Sequence, residues 1–332
     1  MSSFDAIVCA PVRAHLGRPV RLPSLGTWDV STARGAPLLS LELPHAVLAE
    51  NLQTNGPATP FFLLCFAWWH AHITRTDPFL RVSIVGDPPT DAAAVRHLRR
   101  SRIALEALTA ALGDRIVVEG LSGDPWPAAP VFNAPNQVRG SDLGGKGPEH
   151  MVEVQLTDER NHAESVPAGD LTIDRFRRQL PLGLFDGEVA RSAHWTPGQG
   201  AQADLWATSP DGSVFHLFEL KVKGNETVGI LPELLTYLWL IHRARAGLPD
   251  GRTFRGGAEG LEAARRAERL VGWTLAPHLH PLLGSASATP MRWLADGLRD
   301  RIDLGMLFYR DVGGSRPFGG WDTERTWRGW VR

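Results

Sequence analysis

The stretch Gln202-Ala-Asp-Leu-Trp-Ala-Thr-Ser-Pro-Asp-Gly-Ser-Val-Phe-His-Leu-Phe-Glu-Leu-Lys-Val222 decides how the rest of this chain is read. Ser209-Pro-Asp-Gly212 is a turn signal between two apolar-rich runs, 202–208 and 213–222, and the pattern predicts an antiparallel hairpin. Side chains alternate along a strand, so Phe215, Leu217, Glu219, Lys221 and Lys223 share one face. The other face, Val214 to Val222 by twos, is mostly apolar. A strand apolar on both faces that ends in a carboxylate and an ammonium leaves charges that are costly to bury without partners. If the turn centres on Pro210 and Asp211, opposing residue numbers sum to 421, and Asp204 faces Leu217. Asp204 and Glu219 then lie one diagonal step apart on the same face, roughly 7–8 Å at Cβ. Two carboxylates so placed can share a divalent cation, provided no odd-length loop or bulge breaks the parity.

Around the hairpin the pattern is regular. Residues 230–246 read as an apolar helix with Pro232 in its first turn and Gly247 after its end. Next come a strand at 269–276, a helix at 290–300 and a strand at 304–309. Upstream, 151–156 and 189–195 are expected as strands and 172–180 as a short helix. In the first half, 36–43, 79–85 and 115–119 read as strands. Residues 90–112 read as a helix begun near Asp91 and stopped by Gly113, and 61–73 as a buried element of either type. Residues 122–150, dense in Pro and Gly, are expected to be a linker between an α/β domain at 1–121 and a second domain at 151–332.

Asp204, a 14-residue gap spanning a hairpin, and Glu219-Leu-Lys221 resemble the signature of the PD-(D/E)xK nuclease superfamily. Glu233-Leu-Leu-Thr-Tyr237 on the next helix is similar to the Gln-x-x-x-Tyr motif of its RecB-like branch, with Glu in place of Gln. The resemblance covers about residues 171–311, and Ala203 stands where the family has proline. It implies an α/β fold with a restriction-endonuclease-like αβββαβ core and a mixed sheet. It further implies Asp204, Glu219 and the Leu220 backbone carbonyl as metal ligands, with Lys221 as the catalytic lysine. Mg²⁺ is the expected cofactor, with Mn²⁺ as substitute, because only hard oxygen ligands are on offer. Glu188, 16 residues before Asp204, is the candidate auxiliary acid that many relatives carry ahead of the sheet. Glu233, Tyr237 and Lys223 are further auxiliary candidates.

The expected activity is phosphodiester hydrolysis, in DNA more than RNA, in restriction, repair or phage defence. The first half would select substrate, sense a ligand or bind a partner, and a homodimer through it is left open. Two rivals remain: a non-catalytic nucleic-acid-binding or assembly module on the same fold, and a nuclease silent until the N-terminal domain binds an activator. Of the 332 residues, 35 are basic and 36 acidic, which argues against coating nucleic acid by charge alone. The longest apolar run, 60–69, is half the length a membrane helix needs and no secretory leader is seen, so a cytoplasmic protein without membrane contact is expected. Cys9 and Cys65 read as buried hydrophobes, and His278 and His280 lack the further ligands of a zinc site. Gly140-Ser-Asp-Leu-Gly-Gly-Lys146 only superficially matches a phosphate loop. The basic run Arg96-His-Leu-Arg-Arg-Ser-Arg102 is read as a solvated helix face, with a nucleic-acid contact as the alternative.

Overall fold

The computed structural model describes residues 3–33, 35–52, 54–133, 147–158, 166–168, 171–197, 201–314 and 316–329. It is mixed α/β, with two sheets on either side of a helical layer. The first sheet has the order β1 (Thr27–Ala33), β2 (Ala36–Pro44), β3 (Phe79–Val85), β4 (Ile116–Glu119). Its first pair is antiparallel and the other two are parallel. Parallel neighbours need a crossover. Helix α3 (Asn55–Thr74) supplies one and α4 (Ala92–Leu112) the next, after the short α1 (Ala10–Leu16) and α2 (His45–Leu48). Asp91 caps α4 by accepting the Ala94 amide at 2.9 Å, and Gly113 at φ 54° ends it, as the sequence predicts. Residues 61–73 fall inside α3, which is apolar all round and therefore buried all round.

The second sheet carries the hairpin. Its elements are α5 (Pro148–Thr157), β8 (Arg177–Pro181), β10 (Gln202–Thr208), β11 (Val214–Leu220), α6 (Ile230–Ala246), α7 (Glu259–Arg266), β13 (Arg269–Ala276), α8 (Met291–Leu298), β14 (Asp303–Asp311) and β15 (Phe318–Trp321). The strand order is β15-β14-β13-β11-β10-β8, and β16 (Trp327–Arg328) also pairs with β14. Strands β8, β10 and β11 form an antiparallel meander, and α6 and α8 carry the chain into the parallel β13 and β14. β5 (Pro130–Phe132), β9 (Leu184–Asp186) and β12 (Arg255–Gly256) form a small third sheet, and β6 (Val166–Ala168) and β7 (Leu171–Ile173) a ribbon.

One apolar cluster joins Leu41 and Val82 of the first sheet, Phe66 and Leu108 of the helices, and Phe215 and Leu304 of the second sheet. Polar ties reinforce it: Trp69 donates to the Leu282 carbonyl at 2.8 Å, and Glu106 on α4 accepts from Trp239 at 3.0 Å and Arg243 at 2.6 Å. A second cluster, with Val152, Phe218, Trp273 and Tyr309, fills the far face of the second sheet under α5. Part of the Pro/Gly-rich stretch is built into the fold, since Trp126 is buried and donates to Glu106 at 2.8 Å. The phosphate-loop-like 140–146 lies outside the described residues. Among the described residues no helix is long and apolar enough to cross a membrane.

Three expectations are corrected. Residues 151–156 are helical: Val152 and Leu156, one turn apart, are the buried pair, and Val-x-Val alternation mimics a strand only over so short a window. Residues 172–180 hold no helix: Leu171–Ile173 pairs with β6, 174–176 are irregular, and β8 pairs with β10 on either side of Gln179, which sits at φ 51°. Residues 189–195 contain only a turn of 3₁₀ helix (Arg191–Ala193) and an isolated bridge from His194 to Phe185.

Candidate active site

Strand β11 is buried along its whole length, paired to β10 on one edge and β13 on the other. Phe215 and Leu217 pack into the helical layer, whereas Val214, Phe218 and Leu220 pack on the opposite side, so the alternation read from the sequence holds. The register differs from the expected one. Leu205 pairs with Phe218 and Thr208 with Phe215, so opposing numbers sum to 423. The loop is longer than two residues and closes where the Ser209 amide donates to the Val214 carbonyl at 2.9 Å. A slip of two preserves parity, and one step beyond Leu205 and Phe218 the ladder sets Asp204 opposite Glu219.

Asp204 Oδ2 accepts the Leu220 amide at 2.7 Å. The strand ends there, and Lys221, whose amide still donates to the Leu275 carbonyl at 2.8 Å, turns its side chain back over Glu219. Lys221 Nζ lies 2.8 Å from Glu219 Oε1 and 3.0 Å from Glu233 Oε2. The first contact is a hydrogen bond; the second is an ion pair off the hydrogen-bond line. Helix α6 brings Glu233 in its first turn and Tyr237 one turn later, both buried and on one face. Lys223, by contrast, is exposed in the turn after the strand. Glu188 is exposed in the turn after β9 and does not reach the cluster.

Two contributors were not singled out by the sequence reading. Glu153 on α5 is buried, and Arg178 of β8 meets its Oε2 at 3.0 Å. Arg100 on α4, 5% exposed, donates to the Tyr237 hydroxyl. Asp204, Glu219, Glu233, Tyr237, Glu153 and Arg100 line one cavity of about 420 Å³. Only a weak signal pointed to these additions. Pro148 at the first helical position marks α5 as a helix, and Arg100 sits in the basic run already noted.

Burial dominates the electrostatics. It pushes the Asp204 carboxyl up to about 7, against the opposing pull of Lys221 and the Leu220 amide. Burial, then the neighbouring Asp204 charge, holds Glu219 well above the carboxylate range, with Lys221 acting the other way. For Glu233 burial also acts upward, but Lys221 and Arg100 outweigh it and the group lies below its usual value. Burial pulls Lys221 down, yet the three carboxyls together hold it well above the ordinary ammonium range. The cluster thus sets one ammonium among three carboxyls, and Glu219 Oε2 is buried without a hydrogen-bond partner.

Among the described residues no three His, Cys, Asp or Glu side chains are grouped to hold an ion. Mg²⁺ does not need three, since it binds through one or two carboxylates and keeps several waters. Asp204 and Glu219 both line the cavity and Glu219 keeps one oxygen without a partner, so they fit that donor set. In a strand the amide and carbonyl of one residue point to the same edge, so the Leu220 carbonyl follows its amide towards Asp204. Compared with known protein families, curated proteins and solved structures, the chain matches none.

Proposed function

We propose that this chain is a divalent-metal-dependent nuclease that hydrolyses phosphodiester bonds, with DNA the favoured substrate. One observation carries the reading: Asp204, Glu219 and Lys221 converge with Glu233 on a single buried cluster at the wall of a cavity. With the intervening β6, β7, β9, β12 and α7 set aside, α5, β8, β10, β11, α6 and β13 follow the order αβββαβ, which supports a restriction-endonuclease-like core. Glu153, buried on α5, is the acid on the helix ahead of the sheet, a place that Glu188, exposed in a turn, does not occupy.

Asp204, Glu219 and the Leu220 carbonyl would hold the ion. When bound, such an ion would supply neutralising charge at the scissile phosphate and acidify the attacking water. Lys221 would orient the attacking water and stabilise the charge that develops on the phosphate. Glu233 positions Lys221, and Tyr237 connects the cluster to Arg100. The test is incubation of the purified chain with linear, circular and single-stranded DNA and with RNA, in Mg²⁺, Mn²⁺ or EDTA. DNA cleavage that needs the metal and is lost in Glu219→Gln is the expected result. Full cleavage in excess EDTA, or metal binding with no cleavage of any substrate, would overturn it.

A further inference from the structure

We propose that Arg100, contributed by α4 from the first half of the chain, is the cation that binds a phosphate oxyanion of the substrate in this cavity. The proposal deepens the nuclease reading and rests on it for the substrate class. Arg100 is 5% exposed, and its Nε is buried with no partner. Its guanidinium donates to the Tyr237 hydroxyl and lies 5.1 Å from that ring's centre, so neither contact neutralises its charge. An arginine held in a protein interior is ordinarily matched by a carboxylate in bidentate contact, because an unmatched one loses its hydration for nothing. Among the described residues no carboxylate lies within ion-pair distance of Arg100. Glu233 acts on it only from further off, and Glu233 is already engaged by Lys221.

The cavity explains the exception. Arg100 lines the same space as Asp204 and Glu219, and it is the one arginine or lysine among the described lining residues. His97, a turn earlier on the same helix, lines it too, with a buried and unpartnered Nδ1. Acids on the sheet and a fork of donors on α4 therefore bound one space. A phosphodiester fits both: the acids with their cation meet the reacting oxygens, and the guanidinium takes a non-bridging oxygen in the planar geometry arginine suits. Of the four arginines in the run 96–102, Arg100 is the one turned inward that lines the site.

The experiment measures binding without turnover. Fluorescein-labelled 20-residue DNA duplex and single strand are titrated with the full chain in EDTA, by anisotropy, at several salt concentrations. Arg100→Gln should weaken binding roughly 10-fold or more, as expected when a charged hydrogen bond is lost. It should also lower the salt slope by about one phosphate contact. Arg100→Lys should keep the slope and recover part of the affinity, because the charge remains and the fork is gone. If Arg100→Gln does not fold, as judged by its melting transition, Arg100→Lys decides alone, and affinity equal to the native chain overturns the proposal. Native-like binding by a folded Arg100→Gln that no longer cleaves also overturns it, leaving Arg100 as a positioning residue for Tyr237. Weakened binding in Arg100→Gln, with no cleavage by the native chain in Mg²⁺ or Mn²⁺, would keep the oxyanion site and remove the nuclease reading. No binding by the native chain removes both.

Discussion

The Leu220 amide donates to the Asp204 carboxylate across 2.7 Å, so the acid of one strand is fastened to the strand that carries the other. Asp204 is thus both a hinge pin of the hairpin's end and the neighbouring charge that raises Glu219 most. The two roles separate by mutation.

Asp204→Asn keeps an oxygen for the Leu220 amide and removes the charge. It should fold at least as stably as the native chain at pH 7.5, because a desolvated charge has gone, and cleavage should be lost. Asp204→Ala leaves the amide buried and unpaired, which costs about 1–3 kcal/mol. Urea denaturation of the two variants should show that gap. Equal stability would mean the Leu220 contact carries no weight.

A pH dependence follows from the raised Asp204 carboxyl. Its folded value, about 7, lies above the unfolded 3.8. The folded state thus binds the proton more tightly. The stability contributed by this group is fully present below pH ~3.8 and is lost as pH rises through ~7. Glu219, also raised, adds a loss in the same direction. The melting temperature of the metal-free protein, compared with Asp204→Asn, should fall more steeply between pH 5.5 and 8. Mg²⁺ or Mn²⁺ should restore stability at the upper end, since both ions favour the ionised acids. A profile unchanged by Asp204→Asn would remove the argument.

The hairpin was legible because its signals are local. Ser209-Pro-Asp-Gly212 turns the chain, and Val214 to Leu220 alternates between two apolar faces. The register lies two residues from the one a turn centred on Pro210 and Asp211 implies, yet Asp204 and Glu219 still fall on one face, because only an odd slip moves a side chain across a sheet. Helix α6 and strand β13 lie where the pattern put them. Glu153 was missed because six alternating residues satisfy strand and helix periods equally. Arg100 could not be assigned from the sequence for a different reason. Its helix face looks like any basic surface until α4 packs on α6, and nothing within 96–102 encodes that packing.

Two acids compete for the auxiliary role, and their surroundings differ. Glu153 is buried, raised by desolvation against the pull of Arg178, and lines the cavity with Asp204. Glu188 is exposed in a turn. Glu153→Gln should lower kcat roughly 10-fold or more, the scale of a displaced positioning group, and Glu188→Gln should leave it unchanged. Steady-state cleavage of one duplex substrate compares them. The reverse ranking would return the role to Glu188.

The two lysines after Glu219 make the sharpest comparison. Lys221 is 4% exposed at its side chain and clasped by Glu219 and Glu233, whereas Lys223 is exposed in a turn. Removing one partner of a buried ion pair typically costs about 3–5 kcal/mol. Protonation of the stranded carboxyls offsets part of that, so Lys221→Ala should lose stability towards the lower end of the range. Lys223→Ala should stay within about 0.5 kcal/mol of the native chain, as surface changes do. Catalytically, Lys221→Ala should lose cleavage by roughly 10²–10⁴-fold, the usual contribution of a group that handles the reacting proton, while nucleic-acid binding in EDTA stays near native. Lys223→Ala should cleave, with weaker binding and a salt slope lower by about one. Melting curves, anisotropy titrations and cleavage assays on both variants read all of these. Active Lys221→Ala beside inactive Lys223→Ala would make Lys223 the reacting lysine and overturn the role proposed for Lys221.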